Sequence, residues 1–346
     1  MITVGITTYN RLETLKKMAR SFYASEKPFP YSIKVYDDAS TEYGKDVLRE
    51  IFPDAVSIFR QPQNVGSDAN IWYMYKDFFK SKDEIFFNAD SDLLFSRDWM
   101  VRGVEMLNRS DGVLSIFNTS SHKTLQIYGD ISEKEDIGSA GTFFKRDVLQ
   151  WLIDGKADLE KNLENEGLDY QWCRYFRSMG IRLCVSSQSF VQHIGFDGYN
   201  SSMENFDYGV KFAVDSALNG QLINDALEEK FSQRIAGKKK YALFPFEKID
   251  KGAKVVLYGA GMTGQDYIAQ IKSSGYCDLV AVVDKNYETI EGVAPPEKLL
   301  ELDFDYIVLA TLRNDFIAEI ENDIKRLSVA FGDKIVYKEN GQTIRI

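Results

Sequence analysis

Residues 2–8 read ITVGITT, a run rich in β-branched side chains that predicts a buried strand. Apolar residues at helical spacing follow over residues 11–25, and Ser32–Tyr36 predicts the next strand. The alternation continues to residue 92, with helices predicted over Asp46–Phe52 and Asp68–Phe79 and strands over Val56–Phe59 and Glu84–Asn88. Repeated strand–helix order predicts an α/β fold with a doubly wound, mostly parallel sheet.

Polar segments follow three of these predicted strands. Because ligands of doubly wound sheets bind outside the carboxyl ends of the strands, Thr7–Asn10, Asp37–Ser40 and Asp90–Asp92 are expected to share one site. In an extended segment, Asp90 and Asp92 would point to the same side. Two carboxylates so placed suit Mg²⁺ or Mn²⁺, and a turn with two solvated acids is the alternative.

A second α/β pattern begins after a basic, proline-containing stretch near residues 237–252. We therefore expect a domain over residues 1–235, a linker over 236–252 and a smaller Rossmann-like domain over 253–346. The predicted strand Lys254–Tyr258 leads into GAGMTG, and an acid follows the next strand; the residues of interest are Gly259, Gly261, Gly264 and Asp284. This spacing is typical of dinucleotide sites, so NAD or another nucleotide is one interpretation. A docking, oligomerisation or degenerate module is the other.

Composition narrows the class of protein. The 346 residues carry 42 Lys and Arg against 52 Asp and Glu, a net charge of −10, which argues against a nucleic-acid partner. Three widely spaced cysteines fit a reducing cytoplasm rather than a disulfide framework. No signal peptide or membrane span is expected. Peripheral attachment at the inner face of the membrane stays open, because Lys238–Lys240 precede Phe244 and Phe246, although a charged linker beside an apolar docking strip is the alternative.

Six segments, taken in order, resemble the nucleotide-sugar-dependent glycosyltransferases of family 2, which have the GT-A fold. They are VGITTYNR (4–11), VYDDAS (35–40), NVGSDAN (64–70), FFNADSD (86–92), GLDYQWCRYFRSMGIRL (167–183) and QHIG (192–195). The resemblance implies a metal-dependent, inverting transfer of a sugar from a nucleoside diphosphate, with UDP-sugar expected. The implied acceptor is a hydroxyl of a glycan or lipid-linked chain, and by analogy the product is a bacterial capsule, lipopolysaccharide or wall polymer.

The resemblance also implies roles for individual residues. Those expected to contact the nucleotide sugar are Thr7, Tyr9, Asp37, Asp38, Asn64, Gly66, Asn70 and Asp90. Asp90, Asp92 and His193 are expected to hold the metal and diphosphate. Asp169 is the expected general base that takes the acceptor's proton, although the family usually has Glu-Asp where this chain has Leu168-Asp169. Trp172 is a weaker candidate for stacking against the acceptor.

Structural alternatives stay open for several of these residues. Asp37 and Asp38 could form a turn with Ser40, and Asp169 could cap the helix that follows it. Glu164 and Glu166 are nearby alternatives for the base, and Asn64, Gly66 and Asn70 could simply form a turn and helix start. Two other functions also remain: a non-catalytic nucleotide-sugar scaffold, and an NAD-dependent oxidoreductase that uses the C-terminal domain. That domain could also recruit a second copy of the chain or an assembly partner.

Overall fold

The computed structural model describes residues 1–119, 121–155, 167–195, 209–212, 216–235, 240–242, 244–311, 313–338 and 344–345. The chain divides into two units, which are described separately. The first contains Met1–Gly195 and Gly209–Asn219, and the second contains Gly220–Ile346. The division therefore falls before residue 235, the expected end of the first domain. Glu164 and Glu166 lie outside the described residues.

The first part of the chain alternates strands and helices as predicted. The elements are β1 (Ile2–Thr8), α1 (Leu12–Ala24), β2 (Tyr31–Asp37), α2 (Lys45–Ile51), β3 (Ala55–Arg60), α3 (Ser67–Phe78) and β4 (Ile85–Asp90). The four strands are parallel and lie in the order β3-β2-β1-β4. The predicted α/β class with a doubly wound sheet is confirmed, and the parallel strands form one half of that sheet.

Shorter strands and three further helices follow in the sequence. These elements are β5 (Leu93–Phe95), α4 (Trp99–Leu107), β6 (Val113–Ser115), β7 (Thr124–Tyr128), β8 (Ile131–Lys134), β9 (Thr142–Lys145), α5 (Arg146–Asp154), α6 (Leu168–Ser178), β10 (Cys184–Ser186) and β11 (Val191–His193). Strand β9 runs antiparallel to β4 and continues the sheet through β6, β10, β8 and β7. Strands β5 and β11 form a separate antiparallel pair.

Helices cover both faces of this sheet. Leu15 and Phe22 of α1 pack with Trp99 of α4 on one face. On the other face, α3, α5 and α6 pack together, and their buried residues include Tyr75, Val148 and Trp172. Gly5 lets α3 approach β1 closely, because a Cβ there would lie 2.6 Å from both Met74 Sδ and the Phe86 ring.

The second unit has its own parallel sheet. Its elements are α7 (Ala217–Ile235, which spans the division between the units), β12 (Lys240–Tyr241), β13 (Lys254–Tyr258), α8 (Met262–Ser274), β14 (Asp278–Val283), β15 (Tyr306–Leu309), α9 (Asn314–Leu327), β16 (Ile335–Val336) and β17 (Ile344–Arg345). Four of the strands form a parallel sheet in the order β14-β13-β15-β16. Strands β12 and β17 pair separately. Short 3-10 helices cover Phe246–Lys248, Tyr287–Thr289, Pro296–Leu300 and Val329–Lys334.

The expected linker is wrong over its second part. Phe244 and Phe246 are fully buried, and their rings contact Tyr267 and Tyr276 of the second unit. This apolar strip belongs to the core of that unit, so it is not exposed for contact with a membrane. Lys238 and Lys239 lie outside the described residues. Within the ranges given above, no helix combines the length and apolar character that crossing a membrane requires.

Candidate functional site

The strand order creates a crevice between β1 and β4. The chain moves from β1 outward through β2 and β3, then returns to place β4 on the opposite side of β1. Ligands of α/β sheets bind at such a switch point, outside the carboxyl ends of the strands. Thr7 and Asp90 are register partners at this position, and Thr7 Oγ1 donates to Asp90 Oδ1 at 3.2 Å.

Asn88 is a site residue that sequence analysis missed. It lies two residues before Asp90 on β4, so the pleat places both side chains on one face of the sheet. Asn88 Nδ2 donates to Asp90 Oδ1 at 3.2 Å, the same oxygen that Thr7 contacts. The period of two along the strand was the signal that could have identified it.

Asp90 and Asp92 have different side-chain partners at this edge of the sheet. Asp90 ends β4, whereas Ser91 and Asp92 form a turn that leads into β5. Asp92 Oδ2 accepts from Arg11 Nη1 at 3.1 Å, and Asp92 Oδ1 lies 3.1 Å from His193 Nδ1. The β5–β11 pairing brings His193 to this place, since His193 is the register partner of Leu93.

The two carboxyl groups differ in their electrostatic surroundings. Burial raises the pKa of Asp90 to about 6, and the nearby Asp92 carboxylate adds to this effect. Burial also acts on Asp92, but His193 and Arg11 outweigh it and hold the pKa of that carboxyl well below its usual range. Asp92 is therefore charged at neutral pH, with two cationic or hydrogen-bonding partners around it.

Left-handed backbone marks the loops at this edge. Asn10 and Arg11 have φ values of 50° and 56°, and Ala39 in the next loop has a φ of 61°. The loops are tied together, because Ser40 Oγ accepts from the Asn10 amide at 2.8 Å and Asn10 Oδ1 accepts from the Thr41 amide at 2.8 Å. Strained residues of this kind concentrate at functional sites.

Asp37 sits in a closed network of contacts. Its side chain is fully buried, and Oδ2 accepts from Arg60 Nη1 at 2.6 Å. Oδ1 accepts from the amide and the hydroxyl of Ser40 at 3.0 and 2.5 Å. These contacts match the alternative of turn chemistry with Ser40. Contact between Asp37 and a nucleotide stays an untested prediction.

Asp38 holds the loop that precedes α3. Its two oxygens accept from the amides of Val65 and Gly66 at 2.8 and 2.9 Å. Burial raises the pKa of Asp38, while these two amides lower it. Gly66 has a φ of 88°, which favours glycine at the start of α3. Asp38 and Gly66 thus shape the wall of the crevice.

The remaining residues expected to contact the nucleotide sugar occupy different surroundings. Asn70 is buried, and its Nδ2 donates to the carbonyl of Tyr36 at 2.9 Å, a structural contact. Asn64 is exposed in the loop that Asp38 holds. Tyr9 is 42% exposed directly after β1, so its ring is accessible to a ligand at this edge.

Asp169 lies in the first turn of α6 but does not cap that helix. The residue at the N-cap position is Gly167, and the carboxylate that binds the first amide comes from α3 instead. Asp68 Oδ2 accepts from the Leu168 amide at 3.1 Å. Burial raises the pKa of the Asp169 carboxyl; Asp68 adds to the shift, and His122 acts in the opposite direction. A raised pKa makes a carboxylate a stronger base.

Tyr75 links this region to the carboxyl end of β4. Its side chain is fully buried in α3, and burial raises the pKa of its hydroxyl, with further contributions from Asp90 and Asp169. Both carboxylates therefore act on the same buried hydroxyl. The structure thus brings the expected base and the first acid of the D-x-D segment to one region.

The suggested acceptor contact of Trp172 is wrong. Its side chain is fully buried, and its ring makes edge contacts with Phe144 and Phe176 in the core. Because Phe144 belongs to β9, Trp172 lies on a face of α6 that packs against the sheet. Trp172 therefore supports α6 and is not available to stack against a sugar.

The donor atoms at the β4 edge suit a divalent metal that also binds a ligand. In the part of the chain that the structure describes, no three His, Cys, Asp or Glu side chains form a ready metal cluster. Mg²⁺ is commonly held by one or two carboxylates together with substrate phosphates. Asp90 and Asp92 supply oxygen donors of this kind, and the imidazole of His193 lies beside them.

The glycine-rich turn of the second unit is explained by packing. A Cβ at Gly264 would lie 2.1 Å from the carbonyl oxygen of Gly259, so α8 needs glycine there to approach the turn. Asp284 Oδ2 accepts from the Ala260 amide and Oδ1 from the Asn286 amide, both at 2.8 Å. Each oxygen of Asp284 thus holds a loop of the protein.

Acidic side chains thus line the switch point of a parallel α/β sheet, where proteins of this fold class bind ligands. Residues 3–157 match the model of glycosyl transferase family 2, and residues 251–336 match one described as C2185-like, N-terminal. The first match confirms the family predicted from the six motifs. Residues 3–157 are thus similar to the glycosyltransferases of family 2.

Similar solved structures include two complexes with nucleotide sugars. The mannosyltransferase PcManGT from Pyrobaculum calidifontis, in complex with GDP-Man and Mn²⁺, is 16% identical with a TM-score of 0.41, over 67% of this chain and 64% of that chain. S. aureus TarS 1–349, in complex with UDP-GlcNAc, is 13% identical with a TM-score of 0.41, over 68% of this chain and 66% of that chain. The chain thus spans less than two thirds of the length of the mannosyltransferase. No curated protein matches the chain.

Proposed function

We propose that the first unit moves a sugar from a nucleoside-diphosphate sugar, with a UDP-sugar as the expected donor, to a hydroxyl of a growing glycan. The proposal includes metal dependence and inversion at the anomeric carbon. The observation that carries it is the Thr7–Asp90 pair at the switch point, with Asp92 and His193 beside it. Thr7, Asp90 and Asp92 lie within the segment that matches glycosyl transferase family 2, residues 3–157.

Asp90 and Asp92 would hold Mn²⁺ or Mg²⁺ together with the donor diphosphate. When bound, the metal supplies positive charge that stabilises the diphosphate as it leaves. Thr7 and Asn88 both donate to Oδ1 of Asp90 and so fix the direction of that carboxylate. Tyr9 and the loop that Asp38 holds would bind the nucleoside.

Asp169 would accept the proton of the acceptor hydroxyl. Inversion requires a base on the face opposite the leaving phosphate, and a carboxylate of raised pKa suits this task. Asp169 lies in the first turn of α6, whose Leu168 amide donates to Asp68.

The proposal extends to the acceptor and to the cellular location of the reaction. We expect a glycan or lipid-linked acceptor of a bacterial surface polymer, handled in the cytoplasm or at the inner face of the membrane. For the second unit we propose a docking or oligomerisation role, because both oxygens of Asp284 bind loop amides. That arrangement gives no support to an oxidoreductase centred on this unit.

The test is release of nucleoside diphosphate from a panel of UDP-, GDP- and CDP-sugars, each with Mn²⁺ or with a chelator. We expect release from one donor, loss of release with the chelator and loss in Asp90→Asn. Asp46→Asn is the matched control, since Asp46 is 95% exposed on α2. Binding of a nucleotide sugar without release from any donor would favour the scaffold alternative and contradict the proposal.

A further inference from the structure

A guanidinium group already occupies one carboxylate of the candidate metal site. Arg11 Nη1 lies 3.1 Å from Asp92 Oδ2, with the Arg11 side chain 25% exposed and the Asp92 side chain 11% exposed. His193 contacts the other oxygen of Asp92. A metal ion that binds Asp92 must therefore compete with a resident cation at Oδ2.

The backbone conformation of both segments positions the Arg11–Asp92 ion pair. Asn10 and Arg11 both have left-handed backbone, a conformation that is unfavourable for arginine, and this backbone sets the direction in which Arg11 leaves the end of β1. The Asp92 carbonyl is fixed as well, because it accepts from the Ile194 amide at 2.9 Å. Two constrained segments thus bring the ion pair together.

Gly195 completes the arrangement. A Cβ at this position would lie 1.9 Å from Asp92 Oδ2 and 2.6 Å from Arg11 Nη1. Any side chain at position 195 would displace the Arg11–Asp92 pair, so glycine at this position leaves room for the pair. Arg11, Asp92 and Gly195 come from three separate segments of the chain, and all three are needed for this ion pair.

We propose that Arg11 is a resident counter-ion of Asp92, and that it makes metal binding depend on the donor diphosphate. The inference rests on the proposed function. Without a donor, Mn²⁺ must displace the guanidinium from a partly buried carboxylate, and this exchange loses the Arg11–Asp92 ion pair. A diphosphate offers the guanidinium another anion of suitable geometry, so that Asp92 becomes available to the metal.

Such a device makes the metal and the nucleotide bind cooperatively. Because coupling is reciprocal, the nucleotide must strengthen metal binding by the same factor as the metal strengthens nucleotide binding. The site would then bind the metal only weakly when no donor is present. Once Arg11 no longer pairs with Asp92, its guanidinium would also stabilise the negative charge of the diphosphate.

The test is calorimetric titration of Mn²⁺ into wild type, Arg11→Gln, Arg11→Lys and the control Arg49→Gln, first without nucleotide. Arg49 pairs with Asp46 on the exposed face of α2. We expect Arg11→Gln to bind Mn²⁺ about tenfold more tightly than wild type, within the usual range of coupling between sites. Arg11→Lys, which keeps the charge, and Arg49→Gln should resemble wild type. Unchanged or weaker Mn²⁺ binding by folded Arg11→Gln would overturn the inference.

The same titration with UDP present separates this inference from the proposed function. Wild type should gain about tenfold in Mn²⁺ affinity, and Arg11→Gln should gain less. Equal Mn²⁺ affinity of wild type with and without bound UDP would overturn the inference even if the variant fails to fold. If Arg11→Gln gains Mn²⁺ affinity but no nucleotide binds to any protein, the counter-ion role stands and the proposed function fails.

Discussion

Thr7 and Asp90 are register partners on neighbouring parallel strands, and the hydroxyl of Thr7 donates to Asp90 Oδ1 at 3.2 Å. The next residue, Thr8, is the register partner of Asp37 on the other side of β1 and contacts Tyr43. Because side chains alternate along β1, Thr7 and Thr8 point to opposite faces of the sheet at the same strand end. Thr7 contacts Asp90 of the candidate site, and Thr8 contacts Tyr43 in the loop that follows β2.

The first prediction concerns the base. We expect Asp169→Asn to lower kcat by about 10²–10⁴-fold, the usual contribution of general base catalysis, while donor binding changes little. An amide in this place keeps the shape of the side chain but cannot take a proton. The measurement is steady-state turnover with the donor identified in the panel, together with calorimetry of nucleotide binding.

A matched control for Asp169 exists in α5. Asp147 also lies in the first turn of a helix, and its Oδ1 accepts from the next amide at 2.9 Å, as Asp169 Oδ1 does. We expect Asp147→Asn to keep wild-type turnover. If Asp169→Asn turns over as fast as Asp147→Asn, the assignment of Asp169 as the base is wrong.

The second prediction concerns the support of α6. Asp68 Oδ2 binds the Leu168 amide across two helices, so Asp68→Ala should release the first turn of α6. Loss of a cap costs about 1 kcal/mol, which corresponds to roughly fivefold faster hydrogen exchange at that amide. Asp68→Asn keeps an oxygen acceptor and should protect the amide nearly as well as wild type. Equal protection of the Leu168 amide in wild type and Asp68→Ala would contradict this role.

Local sequence signals were sufficient for the parallel half of the fold. The strands around Ile6, Val35 and Phe87 were predicted because β-branched and aromatic runs alternate with helical spacing, and such patterns depend on neighbours in the sequence. The mostly parallel arrangement also follows from general rules of α/β topology. The same rules placed the site at the carboxyl ends of β1, β2 and β4.

Contacts between distant segments could not be predicted in this way. The Arg11–Asp92 pair and the Asp68–Leu168 contact join residues 81 and 100 positions apart. They depend on left-handed backbone and on a turn within the D-x-D segment, neither of which has a local apolar pattern. Trp172 was misjudged for a related reason, since which face of α6 is buried depends on its packing against the sheet.

The third prediction tests the burial of Trp172. Trp172→Ala should lower the free energy of unfolding by about 3–5 kcal/mol, as expected for a large core side chain. Trp172→Phe should be tolerated far better, because it keeps an aromatic ring in the core and removes only an Nε1 that has no hydrogen-bond partner among the described residues. Denaturant unfolding and acceptor kinetics measure both effects. A higher acceptor KM in stable Trp172→Phe would restore the stacking interpretation.

The fourth prediction concerns the second unit. Gly264→Ala should destabilise it by about 1–3 kcal/mol, since the added Cβ would overlap the Gly259 carbonyl. Gly261→Ala is the matched control from the same turn, where no atom lies within 4 Å of the added Cβ. Thermal unfolding of both variants without any nucleotide is the measurement. Equal stability of the two variants would contradict the packing role of Gly264.

The most direct test of the central claim is calorimetric titration with UDP, GDP and CDP, each with and without Mn²⁺. The proteins are wild type, Asp90→Asn and the exposed control Asp46→Asn. The account predicts that wild type and Asp46→Asn bind one nucleotide tightly only when Mn²⁺ is present, and that Asp90→Asn does not. Equally tight binding by Asp90→Asn, or binding of NAD(H) in place of all three nucleotides, would contradict it.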